Sequence, residues 1–71
     1  MKTIIINREP VELFKILKFE GMVASGADAK GAVAEGQVRV NGEVETRKRR
    51  KMMAGDLLEF HGEQFRLSLG D

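Results

Sequence analysis

Apolar and polar positions in this chain follow two different periods, and the change falls at Gly36. Residues 2–6 hold a β-branched run, Thr3 to Ile6, and predict a short strand. From Val11 onward the apolar residues fall at Leu13, Phe14, Ile16, Leu17 and Phe19, the spacing of a helix face, with Lys15 and Lys18 between them. Pro10 suits a first helical position, where a missing N–H would have had no partner, and Gly21 suits a stop. The spacing predicts a helix over 10–19. Ser25, with Asp28 three residues on, reads as the capped start of a second helix that ends at Gly36. Its apolar residues are small (Ala27, Ala29, Ala32, Val33 and Ala34), so it packs closely on a neighbour, and the short loop 20–25 makes the two helices a hairpin.

Past Gly36 the period is two. Val38 and Val40 alternate with Gln37 and Arg39, and Asn41-Gly42 is a type I′ hairpin signal. Val44 carries the return strand toward Thr46. Ala54-Gly55-Asp56 reads as a turn, 57–60 as a strand, His61-Gly62 as a second turn, and Phe65, Leu67 and Leu69 as a last strand. The order predicts an α+β domain, with a helix hairpin packed on a small, mostly antiparallel sheet of four to five strands.

Composition narrows the chemistry. Seventy-one residues suffice for one small domain, here taken as 1–71, and not for two. With no cysteine and one histidine there is no disulfide, no thiolate metal site and no zinc centre. The run Ile4 to Ile6 meets Asn7-Arg8-Glu9 at once, too short for a signal peptide, and no apolar stretch approaches the roughly 18 residues of a membrane span. The expected address is cytoplasmic.

Catalysis is poorly provisioned. His61 lies in a predicted turn with no local nucleophile or orienting partner. Gly31 and Gly36 have P-loop spacing, but Gln37 and Val38 stand where lysine and Ser/Thr are required. Glu43 and Glu45, at strand spacing, read as a solvated face and not as an acid/base pair. A sulphur carrier would need a terminal Gly-Gly where this sequence reads Ser68-Leu69-Gly70-Asp71. The expectation is a protein that is not an enzyme, with no cofactor and no small-molecule substrate.

Charge changes the picture most. The formal net charge is +1, yet Arg47-Lys48-Arg49-Arg50-Lys51 are five consecutive cations. Of the 12 basic residues that leaves seven against 11 acidic groups, so the other 66 residues carry a net −4. Adjacent cations repel, so folding alone gives no reason to cluster them. The run reads either as a solvated loop balanced by Glu43, Glu45 and Glu59, or as a phosphate-binding strip. In an extended chain Arg47, Arg49 and Lys51 would point one way, Lys48 and Arg50 the other. Phe14, Phe19, Phe60 and Phe65 fall at core positions, so the phenylalanines do not supply a base-stacking platform. Two other readings fit parts of the chain: a helix-turn-helix DNA binder over 10–35, and an interaction module for an acidic protein partner.

Leu13, Leu17, Gly21, Ser25-Gly26, Ala29-Lys30, Gly36 to Gly42 and Gly55-Asp56 resemble, in order and spacing, the RNA-binding domain named after small-subunit ribosomal protein S-four, also called the αL motif. The resemblance covers roughly residues 10–60. Ser25-Gly26-x-x-Ala29-Lys30 and the Glu45 to Lys51 run look most like its small, stand-alone, ribosome-associated bacterial subgroup. The resemblance implies a module that docks, as a monomer, on structured RNA, ribosomal RNA or ribosomal subunits above all. It also implies that Lys30, Asn41 and the basic loop share one edge of the surface. Arg47, Lys48, Arg49, Arg50 and Lys51 would meet phosphates, Lys30 and the Ser25–Gly26 helix start would grip adjacent backbone, and Arg39 and Asn41 would set the orientation. One position departs: the larger family often carries arginine after the capping serine, where this chain has Gly26. The basic loop would then carry more of the binding.

Overall fold

A computed structural model describes residues 1–70; Asp71, the last residue in the comparison with Gly-Gly carriers, lies outside the described residues. The elements are β1 (Lys2–Ile6), β2 (Val11–Glu12), α1 (Leu13–Phe19), α2 (Gly26–Ala34), β3 (Val38–Val40), β4 (Glu43–Val44), β5 (Lys51–Met52), β6 (Leu57–Phe60) and β7 (Glu63–Leu69). Five strands form one sheet in the order β1-β7-β6-β3-β4, with β1 parallel to β7 and the other neighbours antiparallel. The α+β, helix-hairpin-on-sheet architecture is the one predicted. Alternation sorts the faces: Ile4 and Ile6, Val38 and Val40, Leu58 and Phe60, Phe65 and Leu67 turn toward the helices. Leu13, Phe14, Ile16 and Leu17 of α1 meet them, with Ala29, Ala32 and Val33 of α2 and Met52.

Both helices end as their glycines predict. Gly21 and Gly36 adopt φ of 72° and 78°. In each case the glycine N–H and the next N–H turn back to helix carbonyls, Gly21 to Lys18 and Met22 to Leu17, Gly36 to Val33 and Gln37 to Ala32. That is the paired bonding of a Schellman ending. The hairpin turns follow the same logic, with positive φ at Asn41 (53°) and Gly42 (88°), and at His61 (50°) and Gly62 (80°).

Four expectations fail, through a contact distant in sequence, a local turn, the burial of one carboxylate and a geometric limit of the helix face. First, the helix predicted over 10–19 begins three residues later. Val11 and Glu12 are extended and pair antiparallel with Met52 and Lys51, a two-stranded sheet with no periodic signature. The N–H groups of Leu13 and Phe14 then donate to the carbonyls of Arg50 (2.9 Å) and Lys48 (3.0 Å). A helix start has no internal acceptors for such groups, and the basic loop provides them. Second, that loop is not an extended strip: Arg50 N–H returns to Arg47 C=O at 3.1 Å, closing a turn, and only Lys51 enters a strand. Third, Glu45 is buried and not on a solvated face. Fourth, Phe19 is 68% exposed. At about 100° per residue it falls roughly 60° beyond Ile16, outside the arc spanned by Leu13, Phe14, Ile16 and Leu17.

Candidate nucleic-acid interface

The basic loop is built around a carboxylate. Glu45 follows β4, and its N–H still donates to Val38 C=O at 2.9 Å, which draws its side chain inward at the sheet end. Its Oε2 accepts from the Arg47 backbone N–H (2.9 Å) and from Arg47 Nε (3.0 Å). Its Oε1 accepts from a second Arg47 guanidinium nitrogen (3.0 Å) and from Arg50 (2.8 Å). The Arg47 fork is therefore bidentate, the strong geometry for such a pair. Arg47 beside Glu45, helped by Arg50, holds that carboxyl well below its usual range, at about 2, against the opposing effect of burial. The same contact raises Arg47. Two arginines thus share one carboxylate, and the turn keeps a positive excess.

A second shared carboxylate lies at the α1 start. Glu12 takes Lys15 at 3.2 Å and Arg49 at 3.4 Å, and Lys15 above all lowers its pKa. Phe14, next to it, has Lys30 Nζ 4.9 Å and the Arg49 guanidinium carbon 5.3 Å from its ring centroid. This places Lys30 of α2 beside the loop, a juxtaposition the resemblance implied. Among the described residues, Lys48 and Lys51 have no carboxylate within ion-pair distance. A shallow concavity of about 520 Å³ is lined by Arg47, Arg49, Arg50 and Lys51. Counting Lys15, Lys30 and the five loop cations against Glu12 and Glu45 leaves a local excess of +5. Arginine forks and ammonium groups around an open hollow suit a chain of phosphates better than one compact anion.

The start of α2 is capped as predicted, with the Asp28 N–H donating to Ser25 Oγ at 3.1 Å. Ala29 N–H takes Ser25 C=O, which leaves the N–H groups of Gly26 and Ala27 outside the helical ladder. Gly26 packs near the Lys18 stem: a Cβ there would lie 3.9 Å from Lys18 Cδ.

Arg39 and Asn41 make their contacts within the sheet and its turns. Arg39, between inward-facing Val38 and Val40, points from the outer sheet face and donates to Gly42 C=O at 3.4 Å. Asn41 donates to Asp56 Oδ1 (3.2 Å) and accepts from Leu57 N–H (2.9 Å), tying the hairpin turn to β6. Among the described residues no hydrogen bond or ion pair joins either to residues 47–51. Sequence reasoning missed Glu12 and Phe14 as parts of this surface, and named Glu45 only as one of three carboxylates that could balance a solvated loop. Glu45 left one readable trace, its spacing of two from Arg47, which puts both on one side of extended chain.

His61 sits in its predicted turn, its ring stacked on Phe60 at 3.9 Å between centroids and its Nε2 3.1 Å from Gln37 Oε1. No helix among the described residues is long and apolar enough to cross a membrane.

The sequence and the fold have counterparts among known proteins. The family model described as S4 domain matches residues 4–68. The chain belongs to the S4 domain family. It is 54% identical over 63 residues to the Escherichia coli protein named "Putative RNA-binding protein YbcJ", which covers 87% of this chain and 90% of that one. It is 37% identical over 57 residues, 80% of each chain, to the Bacillus subtilis protein named "Probable ribosome maturation protein RlbA". Among solved structures, the solution structure of Escherichia coli YbcJ superposes with a TM-score of 0.71 at 48% identity, over 96% of this chain and 87% of that one. That structure is described as revealing an αL motif involved in RNA binding. This S4 domain therefore shares fold and sequence with YbcJ over nearly its whole length.

Proposed function

We propose that this S4 domain is a non-enzymatic, cytoplasmic module that docks as a monomer on structured ribosomal RNA through phosphate contacts. The observation that carries the reading is the +5 excess gathered around the Arg47–Lys51 hollow and joined to Lys30 across Phe14. The RNA-binding name of the Escherichia coli relative and the ribosome-maturation name of the Bacillus one support the choice of RNA and of the ribosome. Lys48, Arg49 and Lys51 take phosphates directly. Arg47 and Arg50, clamped on Glu45, shape the turn and present their outer edges. Lys30, with the Gly26 and Ala27 N–H groups after Ser25, holds a neighbouring backbone segment, while Arg39 and Asn41 set orientation from the sheet side.

A-form RNA hides its base edges in a deep, narrow major groove, so shape and phosphate contacts dominate. Duplex DNA reading by α2 is disfavoured, because its exposed positions are Ala27, Asp28 and Ala34, none of which is an Arg, Asn or Gln that reads base edges.

Sedimentation with purified ribosomal subunits at two or more salt concentrations tests this. With about five phosphates engaged, log K falls against log salt with a slope near −3 to −5. The variant K48E/R49E/K51E spares the Glu45 clamp, so it keeps the fold by circular dichroism and loses binding. Normal binding by that variant refutes the assignment. Retention on nuclease-treated particles points instead to an acidic protein partner.

A further inference from the structure

Phe14 is only 8% exposed and, by its helical spacing, is a core residue. Its surroundings give it a second task. Its backbone N–H donates to Lys48 C=O at 3.0 Å, so the loop is anchored on this residue. Its ring carries Lys30 Nζ at 4.9 Å and the Arg49 guanidinium at 5.3 Å from the centroid, one cation from α2 and one from the loop. Lys30 has no carboxylate within ion-pair distance among the described residues, and Arg49 has only Glu12 at 3.4 Å. Two like charges held no more than about 10 Å apart, within a screening length of each other, repel. The negative face of an aromatic ring attracts both and offsets part of that cost. An aliphatic side chain of similar bulk would fill the core and leave the two cations free to separate.

We propose that Phe14 is a positioning residue of the RNA-binding surface: its ring holds Lys30 and Arg49 at one spacing, so that α2 and the basic loop engage the same stretch of phosphate backbone. The proposal rests on the RNA-binding reading above and adds to it a residue that itself touches no RNA. A backbone with a charge at every nucleotide neutralises both cations together, so fixing their separation in advance lowers the ordering cost of binding.

The test compares Phe14→Leu, which removes the ring face, with Phe14→Tyr, which keeps it, by titration against purified ribosomal subunits across a salt series. F14L is expected to bind three- to tenfold more weakly, with a salt slope shallower by roughly 0.7–0.9 for each phosphate that is no longer engaged. F14Y stays within twofold of wild type. A purely structural role lowers the melting temperature without moving the slope, so F14L binding within twofold and with an unchanged slope overturns the proposal.

If F14L does not fold, Lys30→Ala and Arg49→Ala are combined in the natural background. A joint loss at least threefold smaller than the product of the single losses supports a coupled pair, and a joint loss equal to the product overturns it. The K48E/R49E/K51E control separates the two ideas: if it binds normally, the RNA reading fails. The Phe14 geometry is checked without RNA by an upfield ring-current shift of the Lys30 ε-methylene protons, present in wild type and absent from F14L.

Discussion

Replacing Glu45 by glutamine removes one negative charge from between Arg47 and Arg50 while keeping the side chain's length and one acceptor oxygen. In the folded chain this carboxyl titrates at about 2, against an ordinary 4.5 when unfolded. The folded value is the lower one, so between those pH values the unfolded chain binds more protons. The stabilisation is therefore complete above about pH 5 and is lost as pH falls toward 2. At roughly 1.36 kcal/mol per pH unit the ceiling is about 3 kcal/mol. The Arg47 side chain is 71% exposed, so solvent screens the pair and a working figure is about 1–2 kcal/mol. That is a large share of what a core of this size supplies, about 3–5 kcal/mol. Urea unfolding of both proteins from pH 7 to 2.5 is the assay. E45Q should be less stable by about 1–2 kcal/mol at pH 7, and the gap should shrink steadily as pH falls from about 5 toward 2. Glu12, whose pKa is also lowered, contributes equally to both proteins and cancels in the difference. A gap constant across the whole range, or no gap at pH 7, would refute the clamp.

Gly26→Arg restores the cation that the wider family often carries after the capping serine. A Cβ at Gly26 meets only the flexible Lys18 stem at 3.9 Å, so the variant should fold with unchanged or slightly higher melting temperature and bind ribosomal subunits about two- to fivefold more tightly, as salt-dependent titration would register. Asn41→Ala loses the bonds to Asp56 and Leu57 and places alanine, which tolerates the left-handed region less well than asparagine, at φ 53°. Chemical denaturation should show a loss of about 1–3 kcal/mol.

What the residues alone determined was local. Helix and strand periods, the Ser25 cap, the Schellman glycines at 21 and 36 and the Asn41-Gly42 and His61-Gly62 turns each follow from chain geometry within a few residues, and each was readable. The five-cation run was readable for the same reason, since charge density is a property of consecutive positions. What tertiary structure decided was which of these groups meet. The start of α1 depends on carbonyls from Lys48 and Arg50, more than thirty residues away, and a two-residue ladder such as β2–β5 has too short a pattern to announce itself. Glu45 turns inward only because the sheet ends there and two arginines fold back over it. Lys30 and Arg49 become neighbours only through the ring of Phe14. A charge run in sequence is a quantity of charge. Its division into clamped, ring-held and free cations is set by long-range packing, because both carboxylates and the aromatic ring that sort them lie on other elements or at the sheet end.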